Sequence, residues 1–172
     1  MSETTITPEM TMEAILQAFP SAQRALFQRY HIGGCSSCGF QPTDTLGQVC
    51  KDHNLLDTNE VVRHIVTSHE ADQRLQVEPG QVREWLEDSG EVRFIDVRMP
   101  QEREADPFPE AEALDFNDQG KYMALPKETR LVFACQSGVR SLDVAAYFVG
   151  HGFTQVHSLR GGHDAWKEAP VS

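Results

Sequence analysis

Cys135 stands between an apolar run, residues 131–134, and a short loop, Gln136-Ser137-Gly138-Val139-Arg140. The loop leads into residues 141–149, whose apolar positions recur at helical spacing. A thiol is therefore expected where a strand hands over to a helix. Backbone N–H groups converge on such a point, and the helix N-terminus adds partial positive charge. Arg140 adds a full charge, and the combination favours the thiolate, which is the nucleophilic form of cysteine. Gly138 permits a positive φ or a close approach of another backbone. A cysteine at a strand end can also be a small core hydrophobe. The coincidence of strand, Cys, Gly, Arg and helix favours chemistry over packing.

The loop length narrows that chemistry. Four residues separate Cys135 from Arg140. A ring of that size is tight and suits one extra sulfur atom on the cysteine. A tetrahedral phosphate needs a wider cradle, with about five residues between Cys and Arg. Asp96 and Arg98 lie at the end of a strand expected over residues 92–98 and are read as braces for the loop rather than as reacting groups. A pairing of Asp96 with Arg140 is one expected brace.

The elements that must position these residues alternate. Strands are expected at residues 75–77, 92–98, 131–134 and 152–159, with a further short one within 111–116. Helices are expected at 80–88, where Pro79 suits the first turn, at about 117–124, at 139–151, and after Gly161-Gly162. Strands alternating with helices imply a parallel sheet covered on both faces.

The first third of the chain reads differently. Thr11 can cap a helix bearing Met12, Ile15, Leu16 and Phe19, which Pro20 stops. Residues 21–30 continue as a second helix, ended by Gly33-Gly34. Thr43 or Thr45 starts a third, residues 46–53, and Thr58 caps a fourth, residues 59–71. The polar stretch 70–74 marks the boundary, which gives a small all-α domain at 1–72 and an α/β domain at 73–172.

Between the second and third helices lies Cys35-Ser36-Ser37-Cys38-Gly39. Its two thiols have three readings. With Cys50 and His53 they have zinc-like spacing; alone they are a redox or sulfur-accepting pair; or they sit in a structural turn. Leu46, Val49, Cys50 and His53 fall on one helical face, so Cys50 fits a core position and weakens the metal reading. His31, His64 and His69 are expected at helix ends or surfaces.

Composition bounds the rest. The chain has 172 residues, 40% of them hydrophobic, enough for a core, and a formal net charge of −11. That charge disfavours nucleic acid and anionic membrane surfaces as partners. Four cysteines are too few for a disulfide scaffold, and the N-terminus lacks the pattern of a secretory leader. A cytoplasmic protein with reduced thiols is expected. No nucleotide-phosphate or flavin motif is present, and no cofactor is expected.

Three stretches, in order, resemble a known family. Ile95-Asp96-Val97-Arg98 with Glu102, Cys135-Gln136-Ser137-Gly138-Val139-Arg140-Ser141, and Leu159-Arg160-Gly161-Gly162 with Ala165-Trp166 resemble the strand, catalytic loop and closing motif of single-domain rhodaneses. The resemblance spans about residues 75–170. It implies an α/β fold with a central five-stranded parallel sheet and sulfurtransferase activity through a persulfide on Cys135. The substrates implied are a small sulfur donor, thiosulfate or a persulfide or polysulfide, and a thiol or cyanide acceptor. A non-enzymatic sensor or docking module on the same fold is the alternative. Two departures stand out. Gln136 occupies a position that is basic in many thiosulfate users, which removes a contact worth about 1–3 kcal/mol if buried. Asp106-Pro107-Phe108-Pro109-Glu110-Ala111 replaces a Gly-His-Ile-Pro-Gly-Ala stretch.

A second resemblance covers about residues 5–70. Pro8-Glu9-Met10-Thr11-Met12, Phe19-Pro20, the Cys35–Gly39 turn and Val49-Cys50 with His53-Asn54-Leu55 are similar to a small domain of unknown function, the DUF1858 type. It implies a helical fold linked to sulfur or redox metabolism. It supplies no established activity. Beside the rhodanese resemblance, the helical domain is expected to dock a protein partner or to supply acceptor or redox thiols at Cys35 and Cys38.

Overall fold

The computed structural model describes residues 5–33, 39–88, 91–115 and 117–169. The chain divides into two compact units, Met1–Gln73 and Arg74–Ser172.

In the first unit, α1 (Met12–Ala18) is capped by Thr11, whose hydroxyl accepts the Ala14 N–H at 3.3 Å. α2 (Ala22–Tyr30) ends at His31, which takes the left-handed conformation, φ 58°. The glycine stop expected at Gly33-Gly34 is therefore preceded by a histidine that tolerates positive φ better than most side chains do. Thr45, not Thr43, caps α3 (Leu46–Asp52). α4 (Thr58–Leu75) starts with Asp57 accepting the Glu60 N–H at 3.2 Å, so the capping side chain is Asp57 rather than Thr58. The helix also runs on through Glu70–Arg74, residues read above as a linker. Glu, Ala, Gln and Arg are good helix formers, so polarity here marks a solvated face and not a break. Met12, Ile15, Leu26, Ile32, Leu46, Cys50 and Ile65 form the buried core of this unit.

The second unit alternates as expected. β1 (Gln76–Val77), α5 (Pro79–Glu87), β2 (Val92–Asp96), α6 (Pro100–Ala105), β3 (Glu112–Ala113), α7 (Gly120–Met123), β4 (Arg130–Ala134), α8 (Val139–Gly150), β5 (Val156–Leu159) and α9 (Gly162–Glu168) follow in order. The strands form one five-stranded sheet, order β1-β5-β4-β2-β3, with every pairing parallel.

Period-two alternation explains why β4 is apolar after Arg130. Leu131, Phe133 and then Cys135 pack with Ala145 and Phe148 of α8. Val132 and Ala134 pack with Val82 of α5 and Trp166 of α9. Both faces of the strand are covered, so neither can be polar. The register places Ser158 of β5 opposite Phe133, on the face that Cys135 shares.

α6 was not expected. It lacks an apolar face, and local chemistry starts it: Pro100 opens the first turn and the Glu102 carboxylate accepts the Met99 N–H at 2.9 Å. No helix among the described residues is long and apolar enough to cross a membrane.

Candidate functional site

The C-terminal ends of β2, β4 and β5 meet at one edge of the sheet, where crevices form in open parallel sheets. Cys135 follows β4 directly and is buried, 1% exposed. Its Sγ accepts the Gly138 N–H at 3.1 Å and lies 3.4 Å from the Ser141 nitrogen. It also lies 3.5 Å from Ser141 Oγ, which is 2.7 Å from Ser158 Oγ. The sulfur thus faces two backbone donors and a hydroxyl that the second serine orients. A thiol can donate to Ser141; once the sulfur is anionic, the same hydroxyl can turn and donate back. α8 starts at Val139, so its N-terminus also points at the sulfur.

Backbone fit holds this loop. Gly138 has φ +93°, and a Cβ there would lie 2.9 Å from the Gly161 nitrogen. Gly162 has φ +62°, and a Cβ there would come within 2.3 Å of the Cys135 carbonyl oxygen. That carbonyl accepts the His163 N–H at 2.8 Å, and the Gln136 carbonyl accepts the Asp164 N–H at 3.1 Å. The first turn of α9 therefore docks on the Cys135 loop through main-chain bonds that a side chain would block.

Arg98 is the hub beneath the loop. It is fully buried, and its guanidinium grips both oxygens of Asp96 at 2.9–3.1 Å. The remaining hydrogens reach Gln136 Oε1 at 2.8 Å and the Asp106 carbonyl at 2.9 Å. A nitrogen of His163, Nδ1, lies 3.2 Å from Arg98 Nη1. Desolvation, reinforced by the Arg98 charge, holds the His163 imidazole below its usual range, so the neutral ring accepts from Arg98. Asp106 lies 3.4 Å from the same nitrogen, but Lys167 sits closer to that carboxylate, at 2.6 Å, and is its charge partner. One buried cation thus ties together the ends of β2 and β4, the segment after α6, and α9.

The expected Asp96–Arg140 pair does not form. Asp96 is consumed by Arg98, two residues away, whose side chain folds back over the strand end. Arg140 instead makes a two-bond pair with Glu102, 2.6 and 2.8 Å. That contact, led by the Arg140 hydrogen bond, pulls the Glu102 carboxyl down to about 2. Arg140 thus ties the loop to α6.

Gln136 bridges two groups: its Oε1 accepts from Arg98 and its Nε2 donates to Asp164 Oδ1 at 2.5 Å. Ser137 and Val139 are exposed on the loop. Asp106 and Phe108, from the stretch that departs from the family pattern, line the network; Phe108 stacks on His163 with ring centroids 4.2 Å apart. Sequence reasoning missed Ser158 and His163 as site residues and placed Glu102 in the first family motif without giving it a role. Only Glu102 left a local signal, three residues after Met99 and two after Pro100; the others arrive by tertiary pairing. Cys50 points into the helical core, where burial pushes its thiol up. Cys35 and Cys38 lie outside the described residues.

Comparison with known proteins fits this geometry. The family model "Rhodanese-like domain" matches residues 78–169, more than half of the chain. The chain belongs to the rhodanese-like family. Rhodanese-like relatives include a sulfurtransferase of Allochromatium vinosum, 35% identical over 82 residues that cover 47% of this chain and 77% of that relative. Another is the thiosulfate sulfurtransferase GlpE of Pseudomonas syringae pv. syringae, 35% identical over 83 residues, 48% of this chain and 77% of that protein. Among solved structures, the human single-domain sulfurtransferase TSTD1 aligns with a TM-score of 0.47 at 24% identity, over 56% of this chain and 98% of that one.

Proposed function

We propose that the protein is a sulfurtransferase in which Cys135 carries sulfane sulfur as a persulfide. The observation that carries this reading is the polar ring around Cys135 Sγ: the Gly138 N–H at 3.1 Å, the Ser141 nitrogen at 3.4 Å, and the Ser141 hydroxyl, which accepts from the thiol and can turn to donate once the sulfur is anionic. In the first half-reaction the Cys135 thiolate attacks the outer sulfur of a donor, thiosulfate or a persulfide or polysulfide. The donor's S–S bond breaks, its electron pair leaves on sulfite or on a thiolate, and a new S–S bond forms at Cys135. In the second, a thiol or cyanide acceptor attacks that outer sulfur and Cys135 leaves as thiolate. Neutral donors lower the cost of the anion at both ends of the cycle, as an oxyanion hole does for oxygen. Gly138 and Ser141 hold the sulfur; Arg140, with Asp96 and Arg98, positions the loop.

Intact-protein mass spectrometry tests this. After incubation with donor, the wild type gains about 32 Da, cyanide removes the gain, and Cys135→Ser shows none. A wild type that stays unmodified by thiosulfate and by persulfide overturns the reading.

The helical unit's sequence resemblance to a sulfur- or redox-linked domain supports a role for it as a docking module for a protein partner, with Cys35 and Cys38 as acceptor thiols, in a cytoplasmic setting. Under that role Cys38→Ser slows discharge of the Cys135 persulfide. An unchanged discharge rate removes it.

A further inference from the structure

Resting on the sulfurtransferase reading, the geometry points to the donor class: we infer that Cys135 is loaded by an alkyl persulfide in preference to thiosulfate, and that Gln136 sets this choice. The two donors differ at the atom behind the transferred sulfur. In thiosulfate that atom is the sulfur of the sulfonate group, and attack by a thiolate expels dianionic sulfite. In an alkyl persulfide it is a sulfur bonded to carbon, and a monoanionic thiolate leaves. A mouth that favours thiosulfate must therefore offer uncompensated positive charge beside the nucleophile.

The described cations on the elements bordering the loop are Arg98, Arg103, Arg140, Arg160 and Lys167. Four of them already face carboxylates. Arg98 is buried against Asp96, Arg140 is paired with Glu102 at 2.6 Å, Arg160 with Glu78 at 2.6 Å, and Lys167 with Asp106 at 2.6 Å. Arg103 donates to the Arg98 carbonyl at 2.8 Å. An anion entering here would have to compete with an existing carboxylate for each paired cation, which cancels much of the gain.

Gln136 cannot replace the missing charge. It is neutral, and both ends of its amide are engaged, by Arg98 and by Asp164. Two apolar residues next to the Glu102–Arg140 pair in the chain or by main-chain bond are exposed: Met99 and Val139, at 50% and 49%. The Met99 N–H and Arg140 Nη1 donate to the same Glu102 oxygen, and Val139 precedes Arg140. Exposed apolar surface there costs an uncharged alkyl chain less than it costs a sulfonate. The balanced step is Cys135–S⁻ plus R–S–SH giving Cys135–S–SH plus R–S⁻. No external oxidant or reductant is required.

The test measures the rate of Cys135 loading by intact mass, with thiosulfate and with the uncharged persulfide of 2-mercaptoethanol at equal concentration, in the wild type, Gln136→Arg and Gln136→Lys. The wild type is expected to load from the persulfide on the order of tenfold faster or more, the scale of one missing charge-assisted contact. Either cationic variant should raise the ratio of thiosulfate to persulfide loading by about that factor. Both donors load the same Cys135, so a general loss of loop geometry when Gln136 no longer bridges Arg98 and Asp164 lowers both rates and cancels in the ratio. Thiosulfate loading in the wild type that equals or exceeds persulfide loading overturns the inference while leaving the sulfurtransferase reading standing. An unchanged ratio in both variants overturns the assignment to Gln136. Loading by neither donor overturns the parent reading itself.

Discussion

Cys50 and Cys135 are equally buried, each 1% exposed, yet their surroundings prepare them for opposite fates. Cys50 lies inside α3 among Met12, Leu26, Leu46 and Ile65. Its helix has already used the nearby backbone hydrogens, and burial pushes the thiol up against a smaller downward pull from Thr58. Cys135 lies between a strand and a helix, where N–H groups have no ladder partner and turn toward the sulfur. Burial alone therefore says nothing about reactivity. What matters is whether the surrounding main chain has spare donors, and the start of a helix always has some.

The largest effect should come from exchanging the sulfur itself. Cys135→Ser is expected to lower thiocyanate formation from cyanide by roughly a thousandfold or more, the scale of losing a nucleophile. Cys50→Ser should leave that rate within about twofold, because its thiol meets no substrate. Comparable losses from both substitutions would break the contrast between the two sites.

The difference between the two sites was visible in the chain for a physical reason. An apolar run followed by Cys, Gly and Arg, then by helical spacing, encodes a strand, a turn and a helix start within eleven residues, 131–141. Cys50 was placed in the core by the same kind of local periodicity. Local pattern could not supply the partners. Ser158 reaches Ser141 through the β4–β5 register, and His163 reaches Arg98 through α9 docking, across 65 residues of sequence. The Asp96–Arg140 pairing failed because a nearer partner, Arg98, can fold back and satisfy both carboxylate oxygens. α6 was not legible because it has no apolar face and buries no residue, while β3, both of whose residues are exposed, was placed only within 111–116.

The next effect concerns the backbone around Cys135. Gly162→Ala would force a Cβ to within 2.3 Å of the Cys135 carbonyl at a φ of +62°. Steric conflict and backbone strain together should cost about 2–3 kcal/mol of stability. Denaturant unfolding measures that cost, and persulfide loading should fall with it because the loop must shift. A variant with wild-type stability and loading would mean that α9 docking does not shape the site. By contrast, Cys50→Ser places a hydroxyl in an apolar core and should cost about 1–3 kcal/mol with no loss of loading.

The smallest effect separates the two sites by pH. Glu102 is held at about 2, first by its hydrogen bond from Arg140, against an ordinary value of 4.5. Above 4.5 the carboxyl is ionised in folded and unfolded chains alike, and the pair contributes in full. Between 4.5 and about 2 the unfolded chain takes up a proton that the folded one refuses, so the contribution shrinks as pH falls and is gone below about 2. Glu102 and Arg140 are 34% and 48% exposed, so solvent screening limits the pair to about 0.5–1 kcal/mol. Glu102→Gln should thus be less stable than the wild type by about that amount near neutral pH, and the gap should close steadily on acidification through this window. Added salt should narrow it as well. The Cys50→Ser deficit should stay constant over the same range, since no proton is exchanged there. A Glu102→Gln gap that ignored both pH and salt would mean that the contact ties α6 to the loop by shape and not by charge. The two cysteine sites would then differ in their backbone donors alone.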